Sequence, residues 1–218
     1  MKREIDLEAV SDGKLYSVND MARLGCNGCE GCSACCHNMG NSIVLDPFDV
    51  YRLTNGLNCK FEELLLDKLD LNVVDYIILP NLKMNGDKEA CVFLNEEGRC
   101  SIHSIRPGLC RIFPLGRIYE DGKFQYFLQV NECGRNRTKV KIKKWIDTPE
   151  IGKNENFINE WHYFLKDLGE KMPKLSEEAA KRINMYILNV FFVTLYEGNR
   201  DFYEQFEERI RNAREFLE

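Results

Sequence analysis

The spacing of apolar and polar residues changes character twice along the chain. Between about residues 42 and 145 the apolar runs are short and broken by turn residues. Ser42-Ile43-Val44-Leu45 reads as a strand, and Asp46-Pro47 opens a helix, with Asp as N-cap and Pro at the first helical position. Phe48, Val50, Tyr51 and Leu53 give that helix its core face, and Asn55-Gly56 closes it. Phe61, Leu64, Leu65 and Leu69 predict a second helix around Phe61 to Leu71. Val73 to Leu79, rich in β-branched and aromatic residues, predicts one strand ending at Pro80. Cys91 to Leu94 and Arg99 to Ile102 flank the turn Asn95-Glu96-Glu97-Gly98 as a hairpin. Ser104 then caps a helical turn through Cys110, cut short by Pro114. Leu115 to Tyr119 and Lys123 to Val130 flank Glu120-Asp121-Gly122, whose Asp-Gly pair is the clearest hairpin signal present.

Beyond about residue 150 the rhythm is helical. Phe157, Trp161, Phe164, Leu165 and Leu168 form one stripe; Ile183, Tyr186, Ile187, Val190, Phe191 and Leu195 a second; Phe202, Phe206, Ile210 and Phe216 a third. Core packing explains stripes of this kind. The expected fold is α+β: a lead-in over 1–24, a cysteine-rich metal-nucleated domain of short strands and helices over 25–145, and a helical C-terminal region over 146–218.

With 218 residues, 44% of them hydrophobic, the chain can bury a core without disulfides. That changes how its ten cysteines are read, because disulfide-dense frameworks belong to small secreted domains. The charged start, Met1-Lys2-Arg3-Glu4, has no apolar signal region, so a cytosolic, thiol-reducing location is expected. The longest apolar run, Met185 to Tyr196, falls short of a membrane span. A net charge of −5 argues against a general nucleic-acid surface, leaving small molecules or an unidentified protein or redox partner.

Five cysteines, Cys26, Cys29, Cys32, Cys35 and Cys36, crowd a short stretch of Gly, Ser and Ala. Cys91, Cys100, Cys110 and Cys133 follow, and these nine are the candidate metal ligands; Cys59 stands alone and reads as an ordinary packed residue. The total suits two four-thiolate centres with one cysteine spare. Cys26-x2-Cys29-x2-Cys32-x3-Cys36 has the bacterial ferredoxin spacing, with His37 in place of its proline. In an extended segment the neighbours Cys35 and Cys36 would point to opposite sides, suggesting two centres or one centre and a free thiol.

Read three residues further on, Cys29-x2-Cys32-x2-Cys35-Cys36 combines with Cys91 to Cys100, Arg106-Pro107, Cys110-Arg111 and Phe113-Pro114 into a pattern that resembles the CxxCxxCC cysteine-cluster family of zinc- or iron-chelating domains. The resemblance covers roughly residues 25–135 and implies eight family cysteines at Cys29, Cys32, Cys35, Cys36, Cys91, Cys100, Cys110 and Cys133, with Cys26 additional. The family is similar to the cysteine domain of flagellin lysine N-methylases, which implies a methylase-like enzyme as one possibility. No glycine-rich nucleotide loop supports it here.

The expected function is therefore thiolate metal binding, as one or two iron-sulfur clusters of the [4Fe-4S] type, with a redox role among the expectations. A zinc-stabilised interaction module is the alternative, with His37 or His103 as a fourth ligand. Arg106 and Arg111 flank Cys110 and are expected to screen an anionic cluster or to pair with Asp46 or Asp49. The run Arg135, Arg137, Lys139, Lys141, Lys143 and Lys144 reads as a solvated face, and His162 as a packed residue of the first stripe. No catalytic residue is assigned.

Overall fold

The computed structural model describes residues 6–25, 32–86, 89–133 and 138–217. The fold is α+β, built from short antiparallel strands and a helical C-terminal part.

A single turn of helix, α1 (Leu7–Val10), leads into β1 (Ser11–Tyr16) and β2 (Met21–Gly25). The described part of this N-terminal segment carries regular structure. β1 pairs with the later strand β8 (Lys123–Gln129), and Ala22 and Leu24 of β2 are buried. β1, Ser-Asp-Gly-Lys-Leu-Tyr, has no apolar alternation to announce it; its place is set by backbone pairing.

α2 (Pro47–Leu57) starts as its sequence predicts, with a reciprocal capping box between Asp46 and Asp49 and Pro47 at the first position. It runs past Asn55-Gly56, and Asn58 takes the left-handed C-cap at φ 52°. Gly56 stays helical because Ile105 packs over it: a Cβ there would lie 2.5 Å from Ile105 Cδ1. α3 (Phe61–Asp67) is shorter than expected, since Leu69 already begins β3 (Leu69–Val74).

The strand expected from Val73 to Pro80 is instead the turn of a hairpin. β3 pairs antiparallel with β4 (Ile77–Leu82) across Asp75 and Tyr76, at φ 48° and 70°. A two-residue turn with both φ values positive matches strand twist but usually carries Asn-Gly, so Asp-Tyr hides it. Pro80 sits inside β4 opposite Leu71. Its carbonyl accepts the Leu45 N–H at 2.8 Å, so the missing N–H falls on the side away from β3 and costs that ladder nothing.

β5 (Met84–Asn85) pairs with β6 (Ala90–Cys91). The expected turn at Asn95–Gly98 forms, with Gly98 at φ 70°, but its arms meet only in a Leu94–Cys100 bridge. A 3-10 turn at His103–Ile105 precedes α4 (Gly108–Ile112). β7 (Leu115–Glu120) and β8 (Lys123–Gln129) form the expected hairpin about Asp121-Gly122 and, with β1, a sheet in the order β1-β8-β7. β9 (Thr138–Lys141) pairs with β2.

α5 (Ile142–Ile146), α6 (Ile151–Lys171), α7 (Glu177–Leu188) and α8 (Phe202–Leu217) complete the chain, with a π-helical turn at Asn189–Val193 after α7. The first and third stripes land on α6 and α8, while the second starts on α7 and continues into the π turn with Val190 and Phe191, leaving Leu195 outside any helix; Leu195 and Phe216 are exposed. Arg209 of α8 closes the π turn by donating to the carbonyls of Val190, Thr194 and Leu195 at 2.6–2.7 Å. One core joins Leu53, Phe61, Leu82, Phe93 and Ile102 to Phe157, Trp161, Phe191 and Phe206; a smaller one lies under β2, β8 and α5. The cysteine-rich and helical parts thus share a hydrophobic interior.

Candidate metal centre

Three separate segments bring cysteines to one place. Cys35 and Cys36 lie in a 3-10 turn over Ala34–Cys36, after Ser33, whose carbonyl accepts the Cys36 N–H at 2.8 Å. A His37–Ala90 bridge and the Asn38 N–H bond to Glu89, 3.0 Å, fasten this turn beside β6, which carries Cys91. The Asn95–Gly98 turn carries Cys100 back alongside, and α4 contributes Cys110. Cys32, Cys35, Cys36, Cys91, Cys100 and Cys110 all line one cavity of about 890 Å³.

Not every candidate belongs to that wall. Cys26 and Cys29 lie outside the described residues. Cys133 is half-buried and directly follows Glu132, which does line the cavity. Cys59 packs against the larger core instead. None of the eight described cysteines is in a disulfide.

The 3-10 turn corrects the expectation that Cys35 and Cys36 diverge. Both side chains line the same cavity. The neighbouring Cys36 thiol and the Arg106 guanidinium pull Cys35 down against the opposing effect of burial. Cys35 beside it and burial push Cys36 up. Burial also raises Cys91, Cys100 and Cys110, the last further by the charges of Cys91 and Asp49. Deprotonating several buried sulfurs together is unfavourable without a cation among them, and a bound metal supplies that charge.

By donor type the residues fit a thiolate-bound metal. Among the described residues, no group of three or more His, Cys, Asp or Glu side chains is by itself close enough to hold a metal ion.

The two arginines beside Cys110 have different surroundings. Arg106 lines the cavity, contacts His103 Nε2 at 3.0 Å and keeps its buried Nε without a partner. Arg111 is buried and donates to the carbonyls of Ser104 at 2.7 Å, Asp147 at 2.9 Å and Ile146 at 3.3 Å. Its guanidinium thus ties the 3-10 turn to the end of α5. The expected link from Asp49 to this region runs instead through backbone: Gly108 N–H donates to Asp49 Oδ1 at 2.7 Å.

His37 and His103 also line the cavity. His162 stacks on Tyr119 with centroids 3.5 Å apart and planes at 7°. Spacing within α6 placed His162 in a core stripe; only the return of β7 shows that it also faces the cavity. Lys139, Lys141, Lys143 and Lys144 are exposed on β9 and α5, while Arg135 and Arg137 lie outside the described residues.

A family described as "Putative zinc- or iron-chelating domain" matches residues 28–141, just over half of the chain. The chain belongs to the CxxCxxCC family. No curated protein and no solved structure matches it. The family span includes all six cavity cysteines and ends at β9, so α5 to α8 lie beyond it. Membership supports metal binding as the role of the cysteine cluster. Among the described residues no helix is long and apolar enough to cross a membrane.

Proposed function

We propose that this CxxCxxCC protein holds an iron-sulfur centre, of the [4Fe-4S] type, through cysteine thiolates. The observation that carries this reading is the six cysteines lining one cavity. A single tetrahedral zinc takes four ligands. Six sulfurs, with Cys26 and Cys29 close to Cys32 in sequence and Cys133 next to the cavity residue Glu132, suit a polynuclear centre or a pair of centres better.

Cys32, Cys35, Cys36, Cys91, Cys100 and Cys110 would supply the thiolates, and Arg106 would offset their negative charge. The bound centre would contribute electron transfer or structural cross-linking. The protein's own part is to keep water from the sulfurs and to present Arg106 and backbone N–H groups that tune them. A reducing, cytosolic location agrees with thiols kept available for metal.

Zinc is the second reading, favoured by His37 and His103 lining the same cavity. Anaerobic purification followed by iron, zinc and acid-labile sulfide analysis separates the two. Iron and sulfide in near-equal amounts, with visible charge-transfer absorption, are expected; zinc without sulfide overturns the cluster assignment.

A further inference from the structure

The cavity has more wall than the cysteines cover. Its volume of about 890 Å³ lies near the top of the ~300–1,000 Å³ range of pockets that enclose an organic molecule. Besides the cysteines, the lining includes the apolar side chains of Ile43, Leu82, Met84, Ile118 and Phe127. Another part, from β7 and α6, carries Tyr119, His162, Tyr163 and Lys166.

Charge on this lining runs against the chain as a whole. The protein carries −5 overall, yet the described lining residues include Arg99, Arg106, Arg117 and Lys166 against one carboxylate, Glu132. Arg99 and Arg106 belong to the segments that carry the sulfurs. Arg117 is drawn to Tyr119, Tyr126 and Asp46. Lys166 is exposed, with its ammonium 5.5 Å from the centre of the Tyr163 ring, so it can turn to an incoming anion. Beside it the stacked Tyr119 and His162 rings offer a flat face, and burial keeps His162 uncharged at neutral pH.

We propose that the space next to the cysteines is a binding pocket for a small organic anion with an apolar body, held at its charged end by Lys166. The body lies against Ile118 and Phe127, which brings the ligand alongside the metal centre. The proposal rests on the metal-site reading for that adjacency; the contacts it assigns to the ligand, Lys166, Ile118 and Phe127, are not candidate metal ligands.

The test uses the full-length protein as purified anaerobically, with metal content measured on every sample. Anilinonaphthalene sulfonate serves as the fluorescent probe, displaced by naphthoate or by naphthalene methanol, which share an apolar body and differ in charge. Saturable probe binding to one class of sites is expected, with naphthoate competing at least about tenfold more tightly than the alcohol. Lys166→Glu should weaken naphthoate about tenfold or more and leave the alcohol unchanged, whereas Ile118→Trp should exclude both; metal content should not change in either variant. Absence of saturable binding, equal affinity for acid and alcohol, or indifference to Lys166→Glu overturns the pocket. Binding without metal would instead sink the metal assignment and leave the pocket standing, and metal without binding would do the reverse.

Discussion

Asp49 Oδ1 accepts the Gly108 N–H at 2.7 Å, joining the first turn of α2 to the first residue of the short helix that carries Cys110. The same carboxylate accepts the Asp46 N–H at 3.3 Å. Asp49 is buried, and burial raises it to about 6 against the pull of those N–H donors. Asp49→Ala leaves two donors without this acceptor, which should cost on the order of 1–3 kcal/mol. Asp49→Asn retains an acceptor oxygen and should cost less. Chemical denaturation of both variants at neutral pH checks the order; equal losses would show that charge, rather than the acceptor, holds α4.

Cys110 and Cys59 make a controlled pair. Cys110 lines the cavity, whereas Cys59 packs at the edge of the larger core. Cys110→Ser should remove most of the bound metal and lower thermal stability. Cys59→Ser should leave metal stoichiometry intact and shift stability by no more than about 1 kcal/mol. Elemental analysis after gel filtration reads the difference, and loss of metal from both variants would mean that the ligands are misassigned.

His162 gives the protein an acid-side dependence. Burial holds it near 4 in the folded state, against an ordinary value of about 6.5 in the unfolded chain. Between those values the unfolded chain binds the extra proton, so His162 lowers stability as pH falls from about 6.5 toward 4. Because the ring is partly open to solvent, the effect should be on the order of 1–2 kcal/mol rather than the full shift. His162→Phe keeps a ring to stack on Tyr119. The difference in unfolding free energy between wild type and variant should therefore grow in favour of the variant as pH drops from 7 to 4.5, and parallel curves would exclude the assignment.

Reversing Lys139, Lys141 and Lys143 to Glu should leave both metal content and fold intact, because all three side chains are exposed on β9 and the start of α5. Each change should fall within about 0.5 kcal/mol. Loss of metal in the triple variant would show that this basic face belongs to the site.

How much of this was legible beforehand depended on whether the signal was local. Asp46-Pro47 and Asp121-Gly122 marked their helix and hairpin because caps and tight turns are decided by adjacent residues. Tyr76 at positive φ gave no such warning, so the β3–β4 hairpin was hidden. Gly56 looked like a helix stop because nothing nearby in sequence revealed Ile105 lying over it. At the site, cysteine spacing pointed to metal chemistry, but Cys35 and Cys36 share one cavity in a turn that is 3-10 rather than extended. The direction of Arg111 followed from the end of α5, over thirty residues away. Tertiary partners at that distance leave no local pattern to read.

The shared interior has a practical corollary for the boundary of the family. Cutting after Lys141 would strip Phe61, Leu82 and Phe93 of their neighbours Phe157, Trp161 and Phe191. The family-sized fragment would then be a shell lacking half its filling, prone to aggregate before it could gather its sulfurs. The unit expected to fold around the metal is therefore longer than the motif by which the family is recognised.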